Sequence, residues 1–210
     1  MRQINHARTR WLPRCALSGA ILLGQLGYGC AQAHPHVWVD YTDVLQGSGT
    51  QIQAVQEKWV FAKSFPVSIV IDMTHLPRSG PLDATSTAAF KTQAFNSLKS
   101  ADYFTHLYVD GKPVQVGEPQ QFAVAIENRK LVYTFLLPLI APVDISHHAV
   151  ELGMWDETFF VDYEPAGEAI SLAPSMLSTC SAQPFKDQQH PIFGGAVFPL
   201  AAKLTCGASK

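Results

Sequence analysis

The sequence predicts an α+β fold in which β-structure dominates, with antiparallel sheets in a sandwich-like arrangement and one amphipathic helix. Three observations predict it. Short segments rich in β-branched and aromatic residues recur along the chain, turn-forming residues separate them, and only one segment repeats apolar residues at helical spacing. Regular short strands with turns between them are typical of a mainly antiparallel sandwich.

The first predicted strands form hairpins. Residues 37–41 and 52–61 are rich in β-forming residues, and the glycines of residues 47–49 predict a turn between them. In residues 107–114, an Asp-Gly pair lies between two apolar runs, and this pair accepts the positive φ angles of a tight turn. Pro113 has no amide N–H to donate, which predicts that the strand after this turn lies at a sheet edge.

One segment breaks the β pattern. Phe90, Ala94 and Leu98 recur every four residues, which predicts a helix over residues 85–101, capped by Thr85 or Ser86. Residues 64–76 remain ambiguous, because a short apolar run suits a strand or a buried helix. Further strands are predicted at 122–126, 131–135, 150–152, 159–161 and 170–172.

The composition excludes several classes of protein. Of the 210 residues, 47% are hydrophobic and 15% are charged, and the charged fraction is below the ~25% of typical soluble domains. Disorder needs low hydrophobicity and high charge, and a coiled coil needs charged flanking positions, so both are disfavoured. A net charge of −2 without a basic patch argues against a nucleic-acid partner.

Residues 1–33 are predicted to be a signal peptide. A basic segment (2–14) precedes an uncharged apolar segment (16–28), and an Ala-x-Ala site follows at residues 31–33. The apolar segment is shorter than the ~20 residues that span a membrane. We therefore expect cleavage after Ala33, a periplasmic location and a single mature domain over residues 34–210. Lipidation of Cys30 is the alternative to this cleavage.

Two cysteines, Cys180 and Cys206, remain after the expected cleavage. An even pair in an oxidising compartment predicts a disulfide. A disulfide that closes a loop of about 27 residues raises the free energy of unfolding by roughly 3–4 kcal/mol on the chain-entropy model. The alternative is a pair of free buried thiols.

The mature chain would begin with the stretch HPHVWVD, residues 34–40. Alternate side chains of a strand share a face, so His34, His36 and Asp40 are expected together, with Val37 and Val39 turned inward. Two imidazoles and a carboxylate suit Zn²⁺, and also Ni²⁺ or Cu²⁺. A free α-amine at His34 would add another ligand, as in copper histidine braces. Solvated histidines at a polar strand end are the alternative.

Two further candidate ligands lie later in the chain. His148 belongs to a His-His pair before a predicted strand, and one member of such a pair can join a given site. Asp156 lies in an acidic and aromatic segment, where it would supply an oxygen ligand or hydrogen-bond a ligating histidine. Surface histidines and a packed turn are the alternatives. The sequence contains no G-x-S-x-G, H-E-x-x-H or Walker motif, so no enzymatic activity is predicted.

The stretch HPHVWVD, directly after a signal peptide, resembles the start of an exported bacterial family of undefined domain function. Residues 59–61, 103–112 and 155–161 resemble further segments of the family, in the same order over most of the mature chain. The family is similar to the ZevA-type periplasmic component of zinc uptake, which pairs with a nickel/cobalt-type inner-membrane permease. The resemblance implies His34 and His36 as metal ligands, with Asp40 and Asp156 on acidic positions of the family pattern.

Three functions are therefore open. The first is a non-enzymatic periplasmic component of a transport system, which binds zinc or a similar divalent ion and serves an inner-membrane metal permease. The second is a metal-free structural or interaction module that partners such a permease. The third is a copper-dependent oxidase with an N-terminal brace. No nucleic acid and no small molecule beyond the metal ion is expected as a ligand.

Overall fold

The computed structural model describes residues 35–63 and 76–207, which all lie within one compact unit, Ala33–Lys210. The expected signal peptide, His34 and nearly all of the ambiguous segment 64–76 are outside these residues. The strands, in chain order, are β1 (Val37–Ser48), β2 (Gln51–Lys63), β3 (Gly80–Pro81), β4 (Thr105–Val109), β5 (Lys112–Pro113), β6 (Gln120–Glu127), β7 (Lys130–Asp144), β8 (Val150–Met154), β9 (Val161–Leu172), β10 (Cys180–Lys186) and β11 (Leu200–Cys206).

These strands form two sheets that pack face to face. The first sheet has the order β3-β6-β7-β2-β1-β9, and the second has the order β10-β11-β8-β4-β5. Neighbouring strands are antiparallel, except that β1 and β9 run parallel. Apolar side chains from both sheets fill the space between them; Leu45 of β1 and Leu107 of β4, for example, share one cluster. The prediction of a β-dominant α+β sandwich is confirmed.

Local turn chemistry forms the hairpins where the sequence predicted them. Asp110 and Gly111 have φ angles of 50° and 72°, and they join β4 to β5. Because β5 is the last strand of its sheet, Pro113 lies at an edge, as its missing amide N–H predicted. Asn128 and Arg129 make a second tight turn, with φ angles of 50° and 64°, between β6 and β7.

The helix is shorter than the sequence predicted. It forms α1 (Ala84–Gln93), and a 3-10 helical segment with a kink (Phe95–Phe104) replaces the rest of the expected helix. The helical period breaks where Phe95 is buried in the core, whereas the predicted apolar positions Ala94 and Leu98 are only partly buried. The Phe95 ring lies 4.4 Å from that of Phe122 on β6.

The cap of this helix also differs from the prediction. Asp83 is the N-cap, and its carboxylate accepts hydrogen bonds from the Ser86 amide and hydroxyl, both at 2.8 Å. Thr85 and Ser86 were therefore the wrong capping candidates, since Ser86 serves as a donor to the cap. The sequence ambiguity arose because three capping residue types follow one another closely.

The C-terminal part of the sandwich departs most from the sequence-based expectation. The predicted strand at 170–172 is the end of a longer strand, β9, which starts at Val161 and ends at Leu172. The strand predicted at 159–161 was wrong except for Val161, because Phe159, at φ 57°, and Phe160 lie in the loop before β9. Gly167, at φ 65°, lies inside this strand beside an irregularity in its pairing with β1. Strands β10 and β11 were not predicted at all. Cys180 and Cys206 are bonded across them, which confirms the expected disulfide.

Among the described residues, no helix has both the length and the apolar character that crossing a membrane requires.

Candidate functional site

The start of β1 presents one polar face and one apolar face, as the sequence predicted. Val37 and Val39 are buried, and Asp40 is partly exposed on the opposite face. His36, the residue before β1, is exposed. The His36 ring lies 4.8 Å from the ring of Phe160. His34, the first predicted ligand, precedes the described residues, so its position relative to this face stays a prediction.

The neighbouring strand adds carboxylates to the same face. Because β1 and β9 are parallel and in register, Trp38 lies beside Asp162, and Asp40 lies beside Glu164. Adjacent strands are about 4.8 Å apart, and register partners point to the same side of a sheet. The outward face at the start of β1 therefore carries one imidazole and three carboxylates. We call these residues, His36, Asp40, Asp162 and Glu164, the acidic face.

The charges on the acidic face are only partly balanced. Lys130 reaches from β7 to Asp40, with an Nζ–Oδ2 distance of 3.1 Å, and both side chains are about two-fifths exposed. Burial raises the pKa of Asp162, and repulsion from Glu164 raises it further. A cation bound beside these carboxylates would relieve that repulsion.

Asp156 lies next to the acidic face, but its oxygens are already used. It is buried, and it accepts hydrogen bonds from the Thr158 amide and hydroxyl (2.9 and 2.8 Å) and from the Phe160 and Val161 amides (both 3.1 Å). The turn that these bonds hold places the Phe160 carbonyl 2.8 Å from the His36 amide, which donates to it. Asp156 thus positions the backbone of His36.

His148 lies far from Asp156. It precedes β8, whose five residues span roughly 16 Å, and Asp156 follows the other end of that strand. At its own end, His148 Nδ1 is 2.6 Å from Oδ2 of Asp110, which also accepts a bond from the Ala149 amide at 2.9 Å. The structure therefore brings His36, Asp40 and Asp156 to one end of the sandwich and leaves His148 at the other.

Within residues 35–63 and 76–207, no three His, Cys, Asp or Glu side chains are grouped closely enough to hold a metal ion. The predicted set of His34, His36 and Asp40 includes a residue outside these ranges, so its assembly is an expectation. Of the predicted set, the structure describes His36 and Asp40. It also describes the two neighbouring carboxylates of the acidic face, Asp162 and Glu164.

The structure also assembles aromatic and imidazole groups that the sequence analysis did not single out. His106 stacks on Trp155 with ring centroids 4.0 Å apart, and His190 stacks on Tyr108 at 4.4 Å. Burial lowers the pKa of His106. Buried Asp187 holds His190 through an Oδ2–Nδ1 distance of 2.6 Å. The sequence contained one indication of this contact, because Asp187 and His190 are only three residues apart.

Comparison with known proteins identifies a family and two relatives. The model of a family described as protein of unknown function (DUF1007) matches residues 19–191. An uncharacterised 15.5 kDa protein in the trpE 3′ region of Spirochaeta aurantia is 31% identical over 84 residues, which cover 40% of this chain and 59% of that protein. An uncharacterised protein of Haemophilus influenzae is 22% identical over 148 residues, 68% of each chain.

Proposed function

The chain belongs to the DUF1007 family, and from this premise we propose that it is an exported, non-enzymatic protein that binds a divalent metal ion for transport. Zn²⁺ is the expected ion, with Ni²⁺ and Cu²⁺ as the alternatives, and an inner-membrane metal permease is the proposed partner. The resemblance of the HPHVWVD start to the ZevA-type component of zinc uptake supports the choice of ion and partner.

The observation that carries this proposal is the acidic face. The exposed His36 imidazole stands just before β1, and three carboxylates stand on β1 and β9. For these three carboxylates, the described residues supply Lys130 as the single ion-pair partner, at Asp40. Imidazole nitrogen and carboxylate oxygen are ligands that Zn²⁺ accepts. His34 would extend the set, since it lies two residues before His36 in the sequence.

We propose that the acidic face attracts the ion and that the two histidines bind it. A site made of partly exposed side chains suits a transport protein, because the metal ion has to be released to the permease. Asp156 contributes through the turn that it holds, since a partner that orients a ligand commonly changes metal affinity by about 10–100-fold.

The test is a calorimetric titration of the exported protein with Zn²⁺, Ni²⁺ and Cu²⁺. Intact-mass measurement first establishes whether the exported chain begins at His34. We expect the double variant His34→Ala/His36→Ala to bind Zn²⁺ at least about tenfold more weakly than wild type. Glu164→Gln should weaken binding by a smaller factor, because it removes charge beside the site without removing a nitrogen ligand.

His147→Ala is the matched control, because His147 is an exposed histidine at the opposite end of the sandwich. Its Zn²⁺ affinity should equal that of wild type. Equal affinities of wild type and the double variant would refute the site. A wild-type protein that binds none of the three ions at micromolar concentration would favour the metal-free interaction module instead.

A further inference from the structure

Two acidic side chains lie in the core of the sandwich with no exposed surface, Asp43 of β1 and Glu57 of β2. They are register partners, so their Cβ atoms lie roughly 4.5–5.5 Å apart on the same side of the sheet. Tyr41, two residues before Asp43, belongs to one apolar cluster, and Leu45, two residues after it, belongs to another. The acid pair therefore lies at the boundary between the two halves of the core.

Glu57 has the hydrogen-bond partners of an ionised carboxylate. The Thr105 hydroxyl donates to Oε1 at 2.7 Å, and Trp59 Nε1–H donates to Oε2 at 2.9 Å. Thr105 lies on β4 of the second sheet, so this bond joins the two sheets. Thr105 also follows three consecutive residues with φ angles between 46° and 61°, a conformation that is costly for residues other than glycine.

Asp43 has the opposite environment. Neither Oδ1 nor Oδ2 accepts a hydrogen bond from any residue that the structure describes. An ionised carboxylate buried without donors is strongly disfavoured, whereas a protonated carboxyl carries its own donor. The only neighbouring acceptor that the register places opposite Asp43 is Glu57. The donors thus assign the negative charge to Glu57 and a proton to Asp43.

The groups packed around Asp43 and Glu57 would not neutralise a second negative charge if both carboxyl groups were ionised. No described Lys, Arg or His forms an ion pair with either carboxylate. Burial raises the pKa of both acids, and the charge of Asp43 further raises that of Glu57. The pKa values of the Tyr41 and Tyr163 phenols are raised too, so both stay neutral. The groups facing the pair are Tyr41 of β1, Trp59 of β2, Thr105 of β4, Phe135 of β7 and Tyr163 of β9.

We propose that Asp43 and Glu57 form a proton-binding site, in which one proton is shared between the two carboxyl groups and holds the sheets together. When hydroxide or water takes this proton, the carboxyl O–H bond and the Asp–Glu hydrogen bond break, water or a hydronium ion forms, and two adjacent carboxylates remain in the core. The repulsion between the two carboxylates then acts on Glu57, which accepts the hydrogen bond from Thr105 of the second sheet.

The direction of the pH effect follows from linkage. Both carboxyl groups bind a proton more tightly in the folded chain than at the ordinary unfolded pKa of about 4. The stabilisation is therefore fully present below about pH 4 and is lost as the pH rises through the higher folded pKa. Within that window, each retained proton makes the unfolding equilibrium constant rise roughly tenfold per pH unit.

The experiment compares wild type with Asp43→Asn by denaturant unfolding at a series of pH values from about 5 to about 9. The asparagine amide can donate to Glu57 at every pH, so this variant should lose the pH dependence and become relatively more stable as the pH rises. Glu168→Gln, which removes an exposed carboxylate, is the control and should keep the wild-type dependence.

Infrared spectroscopy gives a second readout that does not depend on stability. Wild type at neutral pH should show the carbonyl band of a protonated carboxyl, and Asp43→Asn should lack it. Absence of this band in wild type would overturn the proposal. So would a metal ion that co-purifies with wild type and is lost in Asp43→Asn, because a metal would then take the place of the proton.

Discussion

Asp156 and Asp43 show how differently two buried aspartates can be accommodated in one domain. Asp156 accepts four hydrogen bonds from a single turn, so its burial is offset by donors that its own sequence neighbourhood supplies. Asp43 finds no donor among the described residues and lies opposite another acid. The first residue fixes local geometry, and the second makes the core sensitive to protonation.

Asp156→Asn tests the role of that turn. The amide nitrogen cannot accept a hydrogen bond, so at least one of the four donors loses its partner. We expect a loss of about 1–3 kcal/mol in the free energy of unfolding, measured by denaturant titration. Weaker Zn²⁺ binding should accompany it, because the turn holds the backbone of His36. Asp162→Asn, on the adjacent strand, should leave stability within about 0.5 kcal/mol of wild type, and equal stability of both variants would contradict the positioning role.

At the level of elements, the hairpins depend on residues that accept positive φ angles. Asp110 with Gly111 suits such a turn, and so does Asn128, but Arg129 does not. An exposed arginine in this conformation carries a conformational cost that the rest of the β6–β7 pairing has to offset. The pairing of β6 with β7 therefore stabilises this turn as much as the residues of the turn do.

Arg129→Gly should therefore stabilise the domain by about 0.5–1 kcal/mol, because glycine adopts the left-handed region without steric cost. Thermal and denaturant unfolding measure the change. Asn128→Gly, at the neighbouring position, should produce a smaller gain, since asparagine already tolerates this region. A loss of stability in Arg129→Gly would mean that the arginine side chain contributes more than its backbone costs.

At the level of the whole molecule, two long-range connections define the sandwich. The parallel pairing of β1 with β9 brings together segments more than a hundred residues apart, and the Cys180–Cys206 bond ties the two strands at the edge of the second sheet. The bonded cysteines lie 26 residues apart in sequence. Cross-linking of this kind stabilises a fold mainly by restricting the unfolded chain.

Reduction of this bond should lower the free energy of unfolding by about 3–4 kcal/mol on the chain-entropy model. Guanidinium unfolding with and without reductant measures the difference. The double variant Cys180→Ser/Cys206→Ser should match the reduced wild type and should not respond to reductant. Identical midpoints for oxidised and reduced wild type would show that the bond does not constrain the unfolded chain.

Elements with a local cause were predictable from the sequence. The hairpin at Asp110 and Gly111, the edge position of Pro113 and the alternating faces around His36 follow from turn chemistry and a period of two. The helix end was not predictable, because the burial of Phe95 depends on a contact with Phe122. Strands β10 and β11 were missed because their buried residues are interspersed with polar and exposed ones in a segment that holds few apolar runs.

The β-dominant class, the cysteine pair and the polar face next to His36 follow from the sequence alone, because each depends on neighbouring residues or on residue type. Tertiary structure alone decided which carboxylates join that face and that Asp43 meets Glu57. Both depend on strand register, and a shift of one residue would turn every side chain to the other side of the sheet. Register is fixed by packing between distant segments, so it is a property of the assembled sandwich.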